Sequence, residues 1–300
     1  MESVPVLSAS SRVERAHAKI NLVLRILSRE ASGYHGIETL FQRLALHDTV
    51  SVRVGGSARE LTCEGPAMPA AGLGAVSQNL AWRAAELYAL ETRWDTGWEI
   101  VIDKQIPVSG GLGGGSADAA AVLRAMEAMS PAPLGASRLL ELGGQLGSDV
   151  PFLVTGASRA WAWGRGDRLL VLPPLPVMQV VLFTFAGGVN TGAAYGALAA
   201  MREADNEVVR AREYDLEAFS SWANIGEIAE NDFERVVPAL HAGVAMVLPI
   251  VKEIAQDCFA GGLLPSFAML SGSGATCYWL LPGGNFGFPS DWNVLPTETL

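Results

Sequence analysis

The sequence predicts an α+β protein with two domains. Segments with strand periodicity and segments with helical periodicity are interspersed along the 300 residues, without the regular alternation of a doubly wound sheet. Half of the residues are apolar, which is enough for sizeable cores. A proline-rich linker at residues 171–176 separates two such regions, so we expect domains at 1–172 and 173–300.

The first region begins with strands. Residues 15–27 alternate apolar and polar side chains, which puts Lys19 and Asn21 on one face of a strand. The polar-apolar segment 38–54 suggests another strand or two. Residues 77–90 carry leucine and alanine at helical intervals and predict a helix.

Ser77 is placed to cap that helix, and residues 98–103, WEIVID, alternate as a strand. A glycine-rich stretch follows. Beyond it, helical composition predicts helices at 117–129 and 137–147, the second ending on glycine. Residues 149–176 indicate short strands and turns that end in the linker.

The second region repeats this mixture. Residues 180–185 predict a strand, 191–201 and 220–237 are helix-like, and 267–281 predict strand, glycine turn, strand. These elements complete the α+β assignment.

Composition excludes several classes of function. The net charge of −10 and the pI near 4.9 argue against nucleic-acid binding, which usually needs a basic face. We also expect no membrane span, because prolines break the most apolar window. The N-terminal residues 1–17 lack a secretory signal, and we expect a short disordered tail. Cys63, Cys258 and Cys277 are scattered, which suits free thiols in a reducing cytoplasm.

The glycine-rich stretch GGLGGGS, residues 110–116, has three interpretations. A tight structural turn needs fewer glycines than this. A dinucleotide fingerprint needs an acidic residue closing a strand some twenty residues later, whereas Glu127 lies in a predicted helix. A phosphate cradle at the start of a helix explains the exposed backbone best, because successive N–H groups and the helix dipole both favour an anion.

The stretch is not a Walker loop, because it contains no lysine. Mg²⁺ and residues elsewhere must then compensate the phosphate charge. Ser116 lies at the helix entry, where its hydroxyl can cap the helix, ligate the metal, or do both. The four histidines form no ligand array, so we expect no tightly held zinc.

Two further features complete the candidate site. Asp149 in GSDVPF either satisfies turn amides or, paired with Lys19, accepts a hydroxyl proton. The second glycine turn, SGSGAT at 271–276, is common in hairpins, but beside the first loop it could close over the same phosphates.

These motifs together resemble those of the GHMP small-molecule kinases. AKINLVL, SGYHGIETLFQ, IPVSGGLGGGSADAA, GSDVPF, the GxGD of GRGD, NDFE and SGSGAT occur in that family's order over nearly the whole chain. AKINL, GYH and the following TLFQ most closely resemble the branch that phosphorylates a cytidine diphospho-methylerythritol in non-mevalonate isoprenoid synthesis. The resemblance implies a ribosomal-protein-like N-terminal domain and a ferredoxin-like C-terminal domain.

The resemblance also implies roles for particular residues. Lys19 and Asp149 match the catalytic pair, with Asp149 as the base. Asn21, Tyr34, His35 and Thr191 match substrate positions, Tyr34 and His35 being those that recognise cytosine. Residues 107–117 match the ATP phosphate loop, and the implied ATP contacts are Lys104, Pro107, Gly110, Gly111, Leu112, Gly113, Gly114, Gly115 and Ser116.

The leading hypothesis is therefore an ATP- and Mg²⁺-dependent kinase of the cytidine diphospho substrate, acting as a monomer or weak homodimer. One alternative is a GHMP kinase for another alcohol, such as homoserine or mevalonate, for which Tyr34 and His35 have no use. The other is a non-catalytic nucleotide sensor of the same fold, which has no need of Lys19 and Asp149.

Overall fold

A computed structural model describes residues 10–29, 35–210, 212–260, 265–281, 283 and 287–300, apart from a few side chains at the edges of these ranges. Strands and helices are interspersed without regular alternation, so the α+β prediction is confirmed. No helix in these ranges is long and apolar enough to cross a membrane.

The chain forms two compact units that are not consecutive in sequence. The first unit draws on Met1–His17, His47–Ile106 and Gly114–Gly156, and the second on Ala18–Leu46, Pro107–Gly113 and Ala157–Leu300. The long strands β1 (Ser10–Arg29) and β2 (His35–Val54) contribute residues to both units. A domain boundary at residue 172 lies within the second unit and stays a prediction.

The first unit combines strands with a helical layer. Its remaining elements, in chain order, are β3 (Arg59–Glu64), α1 (Leu80–Thr92), β4 (Trp98–Asp103), α2 (Gly114–Met129), α3 (Ala136–Leu146) and α4 (Val150–Thr155). Strand β4 pairs antiparallel with β2 and parallel with β3. Alternate residues of β4 are buried, as its period-two pattern predicts. Helix α2 is rich in buried alanines, which let α1 and α4 pack closely against it.

The second unit contains a sheet in the order β11-β7-β10-β9. Its elements, in chain order, are β5 (Arg159–Gly164), β6 (Arg168–Leu172), β7 (Gln179–Thr184), α5 (Thr191–Ala204), α6 (Trp222–Ile228), β8 (Glu230–Asn231), α7 (Val237–Leu240), α8 (Ala242–Ala260), β9 (Phe267–Leu270), β10 (Cys277–Leu281) and β11 (Asn293–Glu298). Every residue of the central strand β10 is buried, and α8 packs against β9 and β10. Strand β8 pairs with β1, and β5 with β2.

The structure corrects four local predictions. Residues 10–17 of the expected disordered tail belong to β1, and residues 1–9 lie outside the described residues. Asn79, not Ser77, caps α1: its side chain accepts a hydrogen bond from the N–H of Ala81 at 2.9 Å, whereas Ser77 lies in a short 3₁₀ turn. Residues 150–155 form α4 and not a strand, because Pro151 is well suited to the first turn of a helix. The predicted helix 220–237 is divided into α6, β8, a 3₁₀ turn and α7. Strands β3 and β11 and helix α8 are additions that the sequence interpretation did not include.

Candidate active site

The glycine-rich stretch divides between the two units. Residues 107–113 belong to the second unit, and Gly114 begins α2 in the first unit, two residues before the predicted start at Ser116. Ser109, Gly111 and Gly113 have φ angles of 60°, 79° and 72°. Alternation of such left-handed residues with ordinary ones turns successive N–H groups toward one side, the backbone arrangement that binds anions.

Within the second unit, the two glycine turns pack against each other. The N–H of Thr276 donates to the carbonyl of Gly110 at 3.1 Å, and the hydroxyl of Ser271 donates to the carbonyl of Gly111 at 3.0 Å. A Cβ on Gly111 would overlap the carbonyl oxygen of Ser271, and one on Gly274 would overlap the backbone of Gly111. Several of the glycines are therefore required for close approach of two backbones.

Lys19 and Asn21 share one face of β1, as the alternation predicts, and both are almost fully buried. The Lys19 ammonium donates to Asn21 Oδ1 at 2.8 Å and to the carbonyl of Gly111 at 2.9 Å. Asn21 in turn donates to the hydroxyl of Thr39 at 2.8 Å, so its orientation is fixed. The backbone N–H of Lys19 donates to Leu112 at 2.9 Å, which ties β1 directly to the glycine loop. The structure thus brings Lys19, Asn21 and the loop together.

In the first unit, Lys104 lies between two buried carboxylates. Its ammonium forms ion pairs with Asp48 and, at 2.7 Å, with Asp118 in the second turn of α2. Asp48 also accepts hydrogen bonds from the backbone N–H groups of Gln105 at 2.5 Å and Ile106 at 2.7 Å. The cluster therefore fixes the chain between β4 and the glycine stretch.

The pKa values of Lys104 and Asp118 are shifted by burial and by neighbouring charges. Burial lowers the pKa of Lys104, but the adjacent carboxylates of Asp118 and Asp48 outweigh that effect and the pKa lies above its ordinary value. Burial is the main cause that raises the pKa of Asp118 to about 7, against the opposing charge of Lys104. Its Oδ1 atom is buried and lacks a hydrogen-bond partner in the described part of the chain.

Sequence reasoning did not single out Asp48 and Asp118. The available signal for Asp118 is its place on the apolar face of α2, where Val122 and Met126 follow at helical spacing and are fully buried. A carboxylate on such a face is seldom buried without a cationic partner. Nothing comparable in the sequence marks Asp48.

The remaining predicted residues of the first unit lie near the ends of helices. Asp149 is half-buried and immediately precedes α4, where its carbonyl accepts from Leu153 at 3.3 Å. Ser116 Oγ lies 4.0 Å from the position that a Cβ on Gly147 would occupy, so the start of α2 is close to the end of α3. Asp149 belongs to the first unit and Lys19 to the second, and their pairing stays a prediction.

Of the predicted substrate residues Thr191, Tyr34 and His35, the structure describes the side chain of Thr191. Thr191 begins α5, and its hydroxyl accepts a hydrogen bond at 3.0 Å from Ser273 in the second glycine turn. Tyr34 and the side chain of His35 lie outside the described residues. Their role in recognising cytosine stays a prediction.

Comparison with known proteins identifies relatives over almost the whole chain. The GHMP kinases N terminal domain model matches residues 79–157. The 4-diphosphocytidyl-2-C-methyl-D-erythritol kinase of Gloeobacter violaceus is 36% identical over 89% of this chain and 84% of its own length. The corresponding enzyme of Syntrophotalea carbinolica is 35% identical over 94% of this chain and 97% of its own.

Solved structures give the same result. A crystal structure of 4-(cytidine 5'-diphospho)-2C-methyl-D-erythritol kinase is 33% identical, covers 90% of each chain and has a TM-score of 0.64. Homoserine kinase from Cytophaga hutchinsonii has a TM-score of 0.62 over 100% of this chain and 96% of its own, but only 14% identity. The second likeness shows the fold alone.

Proposed function

The chain belongs to the family of 4-diphosphocytidyl-2-C-methyl-D-erythritol kinases within the GHMP kinases, and we propose that it transfers the γ-phosphoryl group of ATP to the 2-hydroxyl of 4-diphosphocytidyl-2-C-methyl-D-erythritol. It is an ATP-dependent small-molecule kinase. The product would enter isoprenoid precursor synthesis by the non-mevalonate route. The alternatives of homoserine or mevalonate as acceptor are less well supported, since those likenesses are to the fold only.

The observation that supports this proposal most directly is the contact between Lys19 and the glycine loop. The Lys19 ammonium is 2.9 Å from the carbonyl oxygen of Gly111, inside the loop that we expect to hold the ATP phosphates. A cation fixed at that position is suited to stabilise the negative charge that spreads over the transferred phosphoryl group. Its second hydrogen bond, to Asn21, prevents the long side chain from swinging away.

We propose Asp149 as the group that accepts the proton of the acceptor hydroxyl. The hydroxyl oxygen then attacks the γ-phosphorus, the bond to the β–γ bridging oxygen breaks, and ADP leaves. A carboxylate is a side chain suited to this proton transfer in general base catalysis. The half-exposed position of Asp149 ahead of α4 is compatible with contact to a bound substrate.

Mg²⁺ is proposed to come with the nucleotide. Over the described residues, no group of three or more histidine, cysteine, aspartate or glutamate side chains could hold a metal. Mg²⁺ in kinases needs only one or two protein ligands besides phosphate oxygens and water. The Ser116 hydroxyl in the first turn of α2 is the proposed protein ligand. Bound there, Mg²⁺ would neutralise charge on the phosphates.

From the same family assignment we propose domain folds, a cellular compartment and an oligomeric state. We propose a ribosomal-protein-like fold for residues 1–172 and a ferredoxin-like fold for 173–300. We also propose a cytoplasmic enzyme that is a monomer or a weak homodimer. The three cysteines are free thiols, which suits a reducing compartment.

A coupled assay of ADP release tests the substrate. With 4-diphosphocytidyl-2-C-methyl-D-erythritol, homoserine and mevalonate offered at equal concentrations, we expect turnover with the first alone. Preference for either of the other alcohols would overturn the assignment. ATP binding without turnover of any of them would instead favour a nucleotide sensor.

Tyr34→Ala tests the proposed cytosine pocket. Loss of a stacking platform worth about 1–3 kcal/mol should raise the KM for the cytidine substrate roughly tenfold to a hundredfold and leave the KM for ATP nearly unchanged. If Tyr34 only packs in the core, the melting temperature and both affinities will fall together.

A further inference from the structure

The NDFE segment at residues 231–234 holds the second glycine turn. Asn231 in β8 is 5% exposed, and its amide nitrogen donates to the carbonyl of Leu270 at 2.8 Å and to the carbonyl of Gly272 at 2.9 Å. These two carbonyls lie on either side of Ser271, at the point where β9 enters the turn. One side chain therefore fixes both ends of that bend.

The orientation of the Asn231 amide is determined by a third hydrogen bond. Its Oδ1 accepts from the backbone N–H of Phe233 at 3.0 Å, so the nitrogen must face the two carbonyls. Both amide hydrogens and the oxygen are used. Aspartate has the same shape but no donor at neutral pH, and glutamine is one methylene too long for the same three contacts. Asparagine is the residue whose side chain satisfies all of them.

Glu234 reinforces the same attachment. Its Oε1 accepts from the backbone N–H of Leu270 at 2.8 Å, while Oε2 pairs with Lys252 of α8. Leu270 thus has its N–H held by Glu234 and its carbonyl held by Asn231. The start of the 271–276 turn is rigidly attached to β8 and the turn that follows it.

The turn fixed in this way lies directly against the groups proposed for phosphoryl transfer. A Cβ on Gly272 would be 3.2 Å from the carbonyl oxygen of Gly111, 3.4 Å from Lys19 Nζ and 3.6 Å from Asn21 Oδ1. Gly272 has a φ of +59°. Its backbone therefore forms part of the wall around the Lys19 ammonium, and Asn231 donates to the carbonyl of this same residue.

We infer that Asn231 is a positioning residue for the phosphoryl transfer: it sets the 271–276 turn against the glycine loop and thereby fixes the surroundings of Lys19. The inference rests on the proposed function. The hydrogen bonds of the Asn231 side chain are to Leu270, Gly272 and Phe233, and it acts on the loop and on Lys19 through the backbone of Gly272. Displacement of such a wall by a fraction of an ångström is enough to lower a transfer rate considerably.

Asn231→Asp is the decisive variant, with Ser266→Ala as its matched control. Ser266 accepts a hydrogen bond from the Trp279 indole at 2.7 Å, near the end of the β9–β10 pair opposite the turn. Its loss removes a buried hydrogen bond from the same hairpin without touching the turn. For both variants, the melting temperature, the kcat at saturating substrates and the Kd for Mg-ATP are measured well below the melting temperature.

We expect Asn231→Asp to lower kcat and raise the Kd for Mg-ATP by at least tenfold relative to Ser266→Ala. The activity of Asn231→Asp relative to wild type should rise as pH falls from 8 to 6, because protonation of the introduced carboxylate restores one donor toward the carbonyls. A purely structural role would not produce that pH profile. Values of kcat and Kd within threefold of Ser266→Ala would overturn the inference.

Failure of the proposed function and failure of the variant to fold are distinguished as follows. If wild type does not turn over the cytidine substrate, the proposed function fails, and the Kd ratio for Mg-ATP alone decides the role of Asn231. If Asn231→Asp does not fold, Asn231→Ala is measured by the kcat and Kd criteria alone. It also removes both donors but introduces no charge.

Discussion

Lys19 and Lys104 are both buried lysines. Lys19 contacts the glycine-rich stretch and Lys104 lies shortly before it in the sequence, yet their ammonium groups have different kinds of hydrogen-bond partner. Within its unit, Lys19 donates to an amide oxygen and to a backbone carbonyl of the glycine loop. Lys104 lies between the carboxylates of Asp48 and Asp118. The first arrangement suits a cation that must act on a phosphate, and the second suits a cation that ties structure together. Burial alone therefore does not distinguish a functional lysine from a structural one.

This difference bears on the prediction that Lys104 contacts ATP. Its ammonium is engaged by Asp48 and Asp118, and a phosphate would have to compete with two carboxylates for it. A Cβ on Gly114 would lie 3.5 Å from Lys104 Nζ, so the cluster supports the first residue of α2. We therefore expect Lys104 to influence nucleotide binding mainly through the position of that helix.

Lys104→Met should have the largest effect on stability. It leaves Asp48 and Asp118 buried without their cation, which costs about 3–5 kcal/mol in comparable cases. Denaturant unfolding measures the change in the free energy of unfolding. Lys252→Met is the control, since Lys252 is 40% exposed and its pair with Glu234 should contribute less than about 1 kcal/mol. Equal losses for the two variants would contradict the structural role of Lys104.

Lys19→Met should lower turnover more than stability, the reverse of the effect expected for Lys104→Met. We expect turnover to fall by about a hundredfold to a thousandfold, the usual cost of removing one preorganised donor from a transition state. The free energy of unfolding should fall less than in Lys104→Met, because the hydrogen bonds that Lys19 donates to Asn21 and Gly111 have neutral acceptors and the carboxylate proposed to pair with it, Asp149, is half-exposed. Single-turnover rates and unfolding curves on one preparation check both statements. Turnover within tenfold of wild type would remove Lys19 from the proposed mechanism.

The features that the sequence predicted well are those with a local cause. The period of two put Lys19 and Asn21 on one face, and β4 has the predicted bounds, because a strand half-buried on one side must alternate. The number of glycines predicted that another group lies very close to this part of the backbone. The structure shows that this group is, in part, the 271–276 turn.

The features that were missed depend on partners distant in sequence or on a misleading local signal. Asp48 is 56 residues from Lys104, and Asn231 is 41 residues from Gly272, so no spacing rule connects either pair. Helix α8 is apolar around much of its surface and contains Pro249, which together obscure a helical period. The resemblance brought NDFE into view but assigned it no role, and only the contacts of the Asn231 amide indicate one.

Gly111→Ala and Gly115→Ala compare the two halves of the glycine stretch. At Gly111 the φ of +79° and the overlap with Ser271 should lower the free energy of unfolding by about 1–3 kcal/mol and weaken Mg-ATP binding at least tenfold. At Gly115 a Cβ would meet only Leu80 at 3.8 Å, in an ordinary contact on a helix. Alanine there should be neutral or stabilise by about 0.4–1 kcal/mol. Calorimetry and nucleotide titration measure both effects, and similar losses at the two positions would contradict the structural division of the stretch.

Asp118→Asn tests the ion cluster through the pH dependence of stability. The pKa of Asp118 is raised to about 7, mainly by burial, so between about pH 4 and 7 the folded protein retains a proton that the unfolded chain releases. The stability that this proton supplies is complete below pH 4 and is lost as the pH rises toward 7.

Asparagine keeps an oxygen that can accept from Lys104 and does not titrate. Relative to wild type, the free energy of unfolding of Asp118→Asn should therefore rise as the pH increases from 5 to 7, by about 2 kcal/mol. Asp257→Asn, at an exposed position on α8, is the control and should follow the wild-type curve. If Asp118→Asn and wild type lose stability in parallel across this range, Asp118 is ionised throughout, and Lys104 is then held by two full negative charges.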